Sequence, residues 1–173
     1  SLMPELKQAY GQYLGDRLKF LVVQSGNNEM WGRDSLPFPV YLNSGLGLVD
    51  SLYPQEFEPD KQFGKAMGVP VQSTRQYFRG GNLLFDLDGN CFSENANETA
   101  DLSDPVGYFK NYFGCKTVTI LDQRGGIGDV DERIKFLTGK DVLTNDDSYA
   151  NILKNKGYNV RRVPKTTSGS YYR

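Results

Sequence analysis

Histidine is absent from the 173 residues. That excludes Ser-His-Asp and Cys-His catalysis, and any His-ligated metal. Acid–base work is left to Asp, Glu, Lys, Tyr or Cys. Cysteine is scarce too: Cys91 and Cys115 are the only two. Two are too few for a disulfide framework or a thiolate zinc site. Both flank strand-like runs and read as small core residues; a single bridge between them is the alternative. No apolar run approaches the roughly 18 residues needed to span a bilayer, so no membrane partner is expected. Nor is there a surplus of either charge, with 20 Lys and Arg against 21 Asp and Glu. Nothing in that balance calls for nucleic acid as a partner. No metal and no cofactor is expected. No signal peptide is legible, and the opening Ser1-Leu2-Met3 leaves the natural N-terminus open, so the sequence assigns no compartment.

What is present is the composition of one soluble α/β domain, taken as residues 1–173. Residues 4–14 read as a helix, with Pro4 at its start and Gly15 as its stop. Leu6, Ala9, Tyr10, Tyr13 and Leu14 share one face. Residues 20–23 read as a buried strand, and 25–29 as a polar turn. Two short strands follow at 31–42 and 46–49; Pro37 and Pro39 confine the first to an edge or an irregular stretch. A weak helix is expected at 59–67 and a strand at 71–78.

The pattern then sharpens. Leu83-Leu84-Phe85 and Cys91-Phe92 flank Asp88-Gly89, a hairpin signal. Ser103 or Asp104 can cap a helix beginning near Pro105 and ending at Gly114. A strand is expected at 117–121. The order recurs with strands at 134–137 and 142–143, a helix capped by Asp146 or Asp147 and stopped by Gly157, and a strand at 158–163. The unit is hairpin, helix, strand, three times, at about 45 residues. Such repeats predict a radial or stacked architecture. Residues 165–173 are polar. The opening helix and strand read as the tail of an earlier unit, so a fragment of a larger closed fold is expected.

Three segments could carry chemistry: residues 29–37, with Trp31, Arg33 and Asp34; residues 79–83, with Arg79, Gly80, Gly81 and Asn82; and residues 125–132, with Asp129 and Asp131. Each lies at or beside the start of a hairpin, where repeats about one axis would gather a central site. Plainer readings stand beside these. Arg33 and Asp34 can be a surface pair of little consequence. Trp31 can be core, Gly80-Gly81-Asn82 a simple turn, and Asp129 and Asp131 a solvated acidic turn. Residues 86–90 resemble a calcium loop, but Gly89 comes two places too early and Asn97 stands where glutamate is needed. Residues 125–128 lack the Lys-Ser/Thr of a phosphate loop, and Asp129 would repel a phosphate.

Taken together, the three segments resemble the agmatine deiminase and peptidylarginine deiminase group of the pentein, guanidino-group-modifying superfamily. Residues 31–37 match its Trp-x-Arg-Asp-x-x-Pro pattern. Residues 80–89 match its Gly-Gly-Asn turn before an Asp-Gly hairpin. Residues 128–137 match its Gly-His-x-Asp followed by an apolar strand, except that Asp129 stands where the group has histidine. Order and spacing agree over roughly residues 18–173.

The resemblance implies an α/β propeller of five hairpin-helix-strand blades, of which this chain holds about three and a half. It implies hydrolysis of a guanidino group to a ureido group and ammonia, in which two carboxylates grip the planar cation, a cysteine thiolate attacks and a histidine shuttles protons. Asp34 then corresponds to the first carboxylate and Asp131 to the second, with Asp129 at the histidine position. Trp31, Arg33, Gly81 and Asn82 become candidate substrate-binding residues. The family's cysteine lies in the last blade, and neither Cys91 nor Cys115 matches it. The expected partner is a small guanidino compound or an arginine side chain, and a second copy could pair through open strand edges. The expectation is a deiminase-like hydrolase that is inactive with these residues alone, because histidine and a matching cysteine are absent; the alternative is a non-catalytic guanidinium-binding module or a partner-binding scaffold.

Overall fold

A computed structural model describes residues 3–17, 20, 34, 37–43, 45–50, 52–53 and 58–164. The first helix, α1 (Met3–Leu14), leads into a 3-10 turn at Gly15–Arg17. Its apolar stripe is not buried by the described residues: Leu6, Tyr10, Tyr13 and Leu14 are all exposed. The strand expected at 20–23 and the turn at 25–29 lie outside the described residues, apart from Phe20.

Three units of the same connectivity follow. The first is β1 (Phe38–Leu42), β2 (Gly45–Asp50), α2 (Pro59–Met67) and β3 (Val71–Ser73). The second is β4 (Leu84–Phe85), β5 (Asn90–Glu94), α3 (Asn97–Asp101), α4 (Pro105–Phe113) and β6 (Thr117–Leu121). The third is β7 (Ile134–Thr138), β8 (Asp141–Thr144), α5 (Asp147–Asn155) and β9 (Asn159–Arg162). In each unit the first two strands pair antiparallel and the third returns parallel to the second. A parallel return needs a crossover of a dozen or so residues, and here it contains a helix. The result is three separate three-stranded sheets, with no closed barrel among the described residues.

Local chemistry explains the boundaries. Asp104 caps α4 by accepting from Gly107 N–H at 2.9 Å, with Pro105 in the first position. Asp146 caps α5 by accepting from Ser148 N–H and Tyr149 N–H. The β4–β5 hairpin is tied by Asp86, whose Oδ1 accepts from the N–H of Asp88 (2.9 Å) and of Asn90 (2.7 Å). Burial alone would raise the Asp86 carboxyl; hydrogen bonds from Tyr158, Asn90 and Asp88 outweigh it and hold the group below the usual range.

One expectation changes. The strand expected at 71–78 stops at Ser73, the last residue paired with β2, which itself ends at Asp50. Beyond it Thr74 Oγ1 donates to the Gln76 carbonyl at 2.7 Å, turning the chain so that Phe78 enters the core. Of the strand expected at 31–42, Phe38–Leu42 is present as an edge strand, as Pro39 requires, and residues 31–33 and 35–36 lie outside the described residues.

The cysteines are not two independent core residues. Cys91 and Cys115 form a disulfide, with Cα atoms 5.7 Å apart. Parallel pairing of β5 with β6 sets Cys91 opposite Val118, and Gly114 turns the end of α4 so that Cys115 reaches it.

The core is shared by neighbouring units. One cluster joins Phe38, Val40 and Val49 of the first unit to Leu83, Cys91, Phe109, Phe113 and Cys115 of the second. The other joins Phe92 and Leu121 of the second to Ile134, Val142, Tyr149, Leu153 and Tyr158 of the third. Alternation along β5 is the cause: Cys91 faces one cluster and its neighbour Phe92 the other. The middle sheet is thereby buried on both faces.

Candidate functional site

Two of the segments singled out in the sequence occupy equivalent places, just before the hairpins. Gly80–Asn82 forms a 3-10 turn ahead of β4, and Val130–Glu132 forms one ahead of β7. The two turns pack together. Asp34, ahead of β1, joins them: its Oδ1 accepts from Gly81 N–H at 2.8 Å. Gly81 is where the three segments meet. A Cβ there would lie 2.9 Å from Asp129 Oδ2 and 3.1 Å from Asp34 Oδ1. Two carboxylates from distant parts of the chain therefore flank one glycine, and a side chain at 81 would push them apart.

Asp129 is 2% exposed. Burial pushes its carboxyl up to about 7; Arg79 opposes that shift, while Asp34, Asp131 and Glu98 add to it. Arg79 reaches Asp129 Oδ1 through Nη2 at 3.1 Å and Glu98 Oε1 through Nε at 2.9 Å. Its Nη2 also donates to the Ile127 carbonyl at 3.1 Å. Tyr53 and Tyr77 close one side, with ring centroids 5.6 Å apart. Burial raises both phenols, and the neighbouring carboxylates add to it.

Asn82 is fully buried. Its Nδ2 donates to the Glu94 carbonyl and to Thr99 Oγ1, both at 3.1 Å, and its Oδ1 accepts from Glu94 N–H at 2.8 Å. Those bonds tie the glycine turn to β5 and α3. Asp131 is exposed and lies close enough to raise Asp129. Trp31 and Arg33 lie outside the described residues.

The loop at 125–128 is held by its carbonyls. Arg133 Nη2 donates to Gly125 O at 2.7 Å, and Asn97 Nδ2 to Ile127 O at 2.7 Å. Those bonds anchor Asp129 at the loop's end. A second buried acid, Glu94, lies 3.7 Å from Arg133; burial raises its carboxyl against the pull of Tyr149, the Arg124 backbone and Arg133.

Sequence reading did not assign Arg79, Glu98, Tyr53 or Tyr77. For Arg79 there was a signal, a cation directly before Gly80-Gly81. For Glu98 there was none, since its place depends on how α3 packs. The described residues contain no group of three or more acids and cysteines able to hold a metal ion, and no helix among them is long and apolar enough to cross a membrane. A shallow cavity of about 170 Å³, with Phe92, Lys140, Lys156 and Tyr158 in its lining, shares no residue with this cluster. Buried, mutually perturbed groups converge at the carboxylates around Gly81, which makes them the candidate site. Asp34, Asp129 and Glu98 surround the Arg79 guanidinium and favour positive charge there.

No family model matches the sequence, and no curated protein is similar enough to match. Solved structures do match. C. jejuni agmatine deiminase is 18% identical, over 95% of this chain and 58% of its own, with a TM-score of 0.68. A substrate-bound variant of that enzyme is 16% identical over 91% and 58%, with a TM-score of 0.67. The agmatine deiminase of Enterococcus faecalis is 17% identical over 80% and 50%, with a TM-score of 0.62. The chain thus spans less than two thirds of the length of each. The backbone agrees with the resemblance that the three motifs carry, and places this chain, at the level of fold, with the agmatine deiminase and peptidylarginine deiminase group.

Proposed function

We propose that this chain carries the guanidinium-recognition part of a deiminase-type site, and that its three units are blades of a pentein-like propeller. The convergence of Asp34 and Asp129 on Gly81 supports this most directly. A planar guanidinium offers a fork of N–H donors, and carboxylates approaching from separate segments can accept from its edges with charge-assisted bonds. Asp131, the second carboxylate of the grip by the resemblance, is exposed beside them. The expected ligand is agmatine or an arginine side chain.

The reaction of the whole group implied by the resemblance is hydrolysis of that guanidino group to a ureido group and ammonia. It needs a thiolate and a proton shuttle. Both cysteines here are joined in a disulfide, and there is no histidine. A carboxylate at position 129 would also oppose thiolate formation nearby. The residues of this chain therefore bind the cation and do not turn it over.

Calorimetric titration with agmatine and with an arginyl peptide tests this, alongside an ammonia-release assay. Binding without ammonia release is expected, and Asp34→Asn should weaken it by about tenfold or more, the order expected when one partner of a charged contact is removed. Absence of binding, or binding indifferent to Asp34→Asn, would overturn the reading.

A further inference from the structure

The carboxylate cluster already holds a guanidinium, that of Arg79. Its Nε faces Glu98 Oε1 at 2.9 Å, while its Nη2 faces Asp129 Oδ1 and the Ile127 carbonyl, each at 3.1 Å. Both acids are almost wholly buried, at 7% and 3% side-chain exposure, and the Arg79 side chain is 18% exposed. Burial pulls the guanidinium down, but Asp129, Glu98, Tyr77 and Asp34 together hold it above its ordinary value. Arg79 stands immediately before Gly80–Asn82, so the turn that brings Gly81 against Asp34 and Asp129 also sets the direction of its side chain.

We propose that Arg79 is the specificity-determining residue of this site: an internal guanidinium that occupies the Asp129–Glu98 cradle and must be displaced before an external one can fill it. The inference rests on the guanidinium-site reading above. Two observations on the cradle carry it. The groups that face Arg79 come from two segments, Glu98 on α3 and Ile127 and Asp129 on the stretch ahead of β7, and they converge on its one planar group. Without Arg79, Asp129 and Glu98 would be buried acids facing one another with no cation between them, a costly arrangement that a guanidinium ion of the right shape would relieve.

The test is chemical rescue. Arg79→Ala removes the side chain and leaves the acceptors. Its Tm should fall below that of the unaltered chain. Low-millimolar guanidinium chloride should restore about 3–6 °C of that loss once the ion exceeds its Kd tenfold. Equimolar sodium or ammonium chloride should not, and the unaltered chain should not respond. Agmatine should bind Arg79→Ala at least tenfold tighter than the unaltered chain. Where Arg79→Ala does not fold, Arg79→Gln, neutral and of similar length, is titrated with agmatine in its place; tighter binding than the unaltered chain supports the proposal, and equal or weaker binding overturns it.

A folded Arg79→Ala that guanidinium stabilises no better than sodium overturns the proposal whatever agmatine does. Guanidinium rescue with no agmatine binding in either protein upholds the internal occupant and sinks the agmatine reading of the previous section. Rescue with agmatine binding unchanged by the substitution overturns displacement, because the ligand would then not compete with Arg79.

Discussion

Asp129 ties its neighbourhood to pH. Its folded-state value of about 7 stands above the ordinary carboxylate value, because burial outweighs Arg79 and three other acids add their repulsion. A raised acid binds its proton more tightly in the folded protein. Its contribution to stability is therefore full below the unfolded value near 4 and is lost as pH rises through about 7. Melting the protein between pH 4 and 8 should show that loss, and Asp129→Asn should flatten it. An equal slope in Asp129→Asn would assign the dependence to other groups. Gly81 is the companion residue. Replacing glycine by alanine in a compatible conformation stabilises proteins modestly, but here the new methyl would meet two carboxylates at 2.9 and 3.1 Å. Gly81→Ala should lower Tm and weaken agmatine binding together; a neutral or stabilising result would show that the carboxylates can step aside. Both positions are legible as candidates in the sequence, since they fall within short motifs. Arg79 was visible in the same motif but not assigned, because its role depends on Glu98, which no spacing connects to it.

Among the elements, the disulfide between β5 and the segment after α4 should matter most to stability. It closes a loop of sequence separation 24, and chain-entropy reasoning assigns such a loop about 3.5 kcal/mol. Exchanging Cys91 and Cys115 together for alanine should lower Tm by roughly 7–14 °C for a domain of this size. A drop of about a degree would mean that core packing around these positions carries the load instead. The helix caps should matter less. Asp104→Ala removes one N-terminal acceptor of α4 and should reduce stability by about 1 kcal/mol, read from denaturant unfolding. Elements were well legible where glycine, proline and aspartate punctuate them. Asp104, Gly114, Asp146 and the Asp88-Gly89 turn all act as local chemistry requires. The strand after α2 was overextended because its end depends on where β2 stops. Apolar residues beyond Ser73 look the same whether they continue a strand or turn into the core.

On the scale of the whole molecule, aromatic contacts join each unit to the next. Phe38 of the first meets Phe85 and Phe113 of the second, and Phe92 of the second meets Phe136 and Tyr158 of the third. Each apolar cluster draws on two neighbouring units, as in repeat architectures, where neighbours complete one another's core. A chain ending after Leu121 would expose Phe92 and Leu121, both now about 1% exposed, and should aggregate or bind a hydrophobic dye. A soluble, sharply melting truncation would show that the second unit closes itself. The motif order and the recurrence of units were readable because each repeat restates the same turns and caps.

By itself, the sequence determined what is local: the helix starts and stops, the hairpins, the repeating unit, the absence of histidine and the motif that marks Asp34, Gly81 and Asp129. Only the tertiary structure decided that the two cysteines bond, that β5 divides its faces between two cores, and that Arg79 lies between Asp129 and Glu98. Capping and turn formation are settled by neighbours a few residues away. A disulfide, a shared core or a buried ion pair is settled by which distant segments the fold brings within reach.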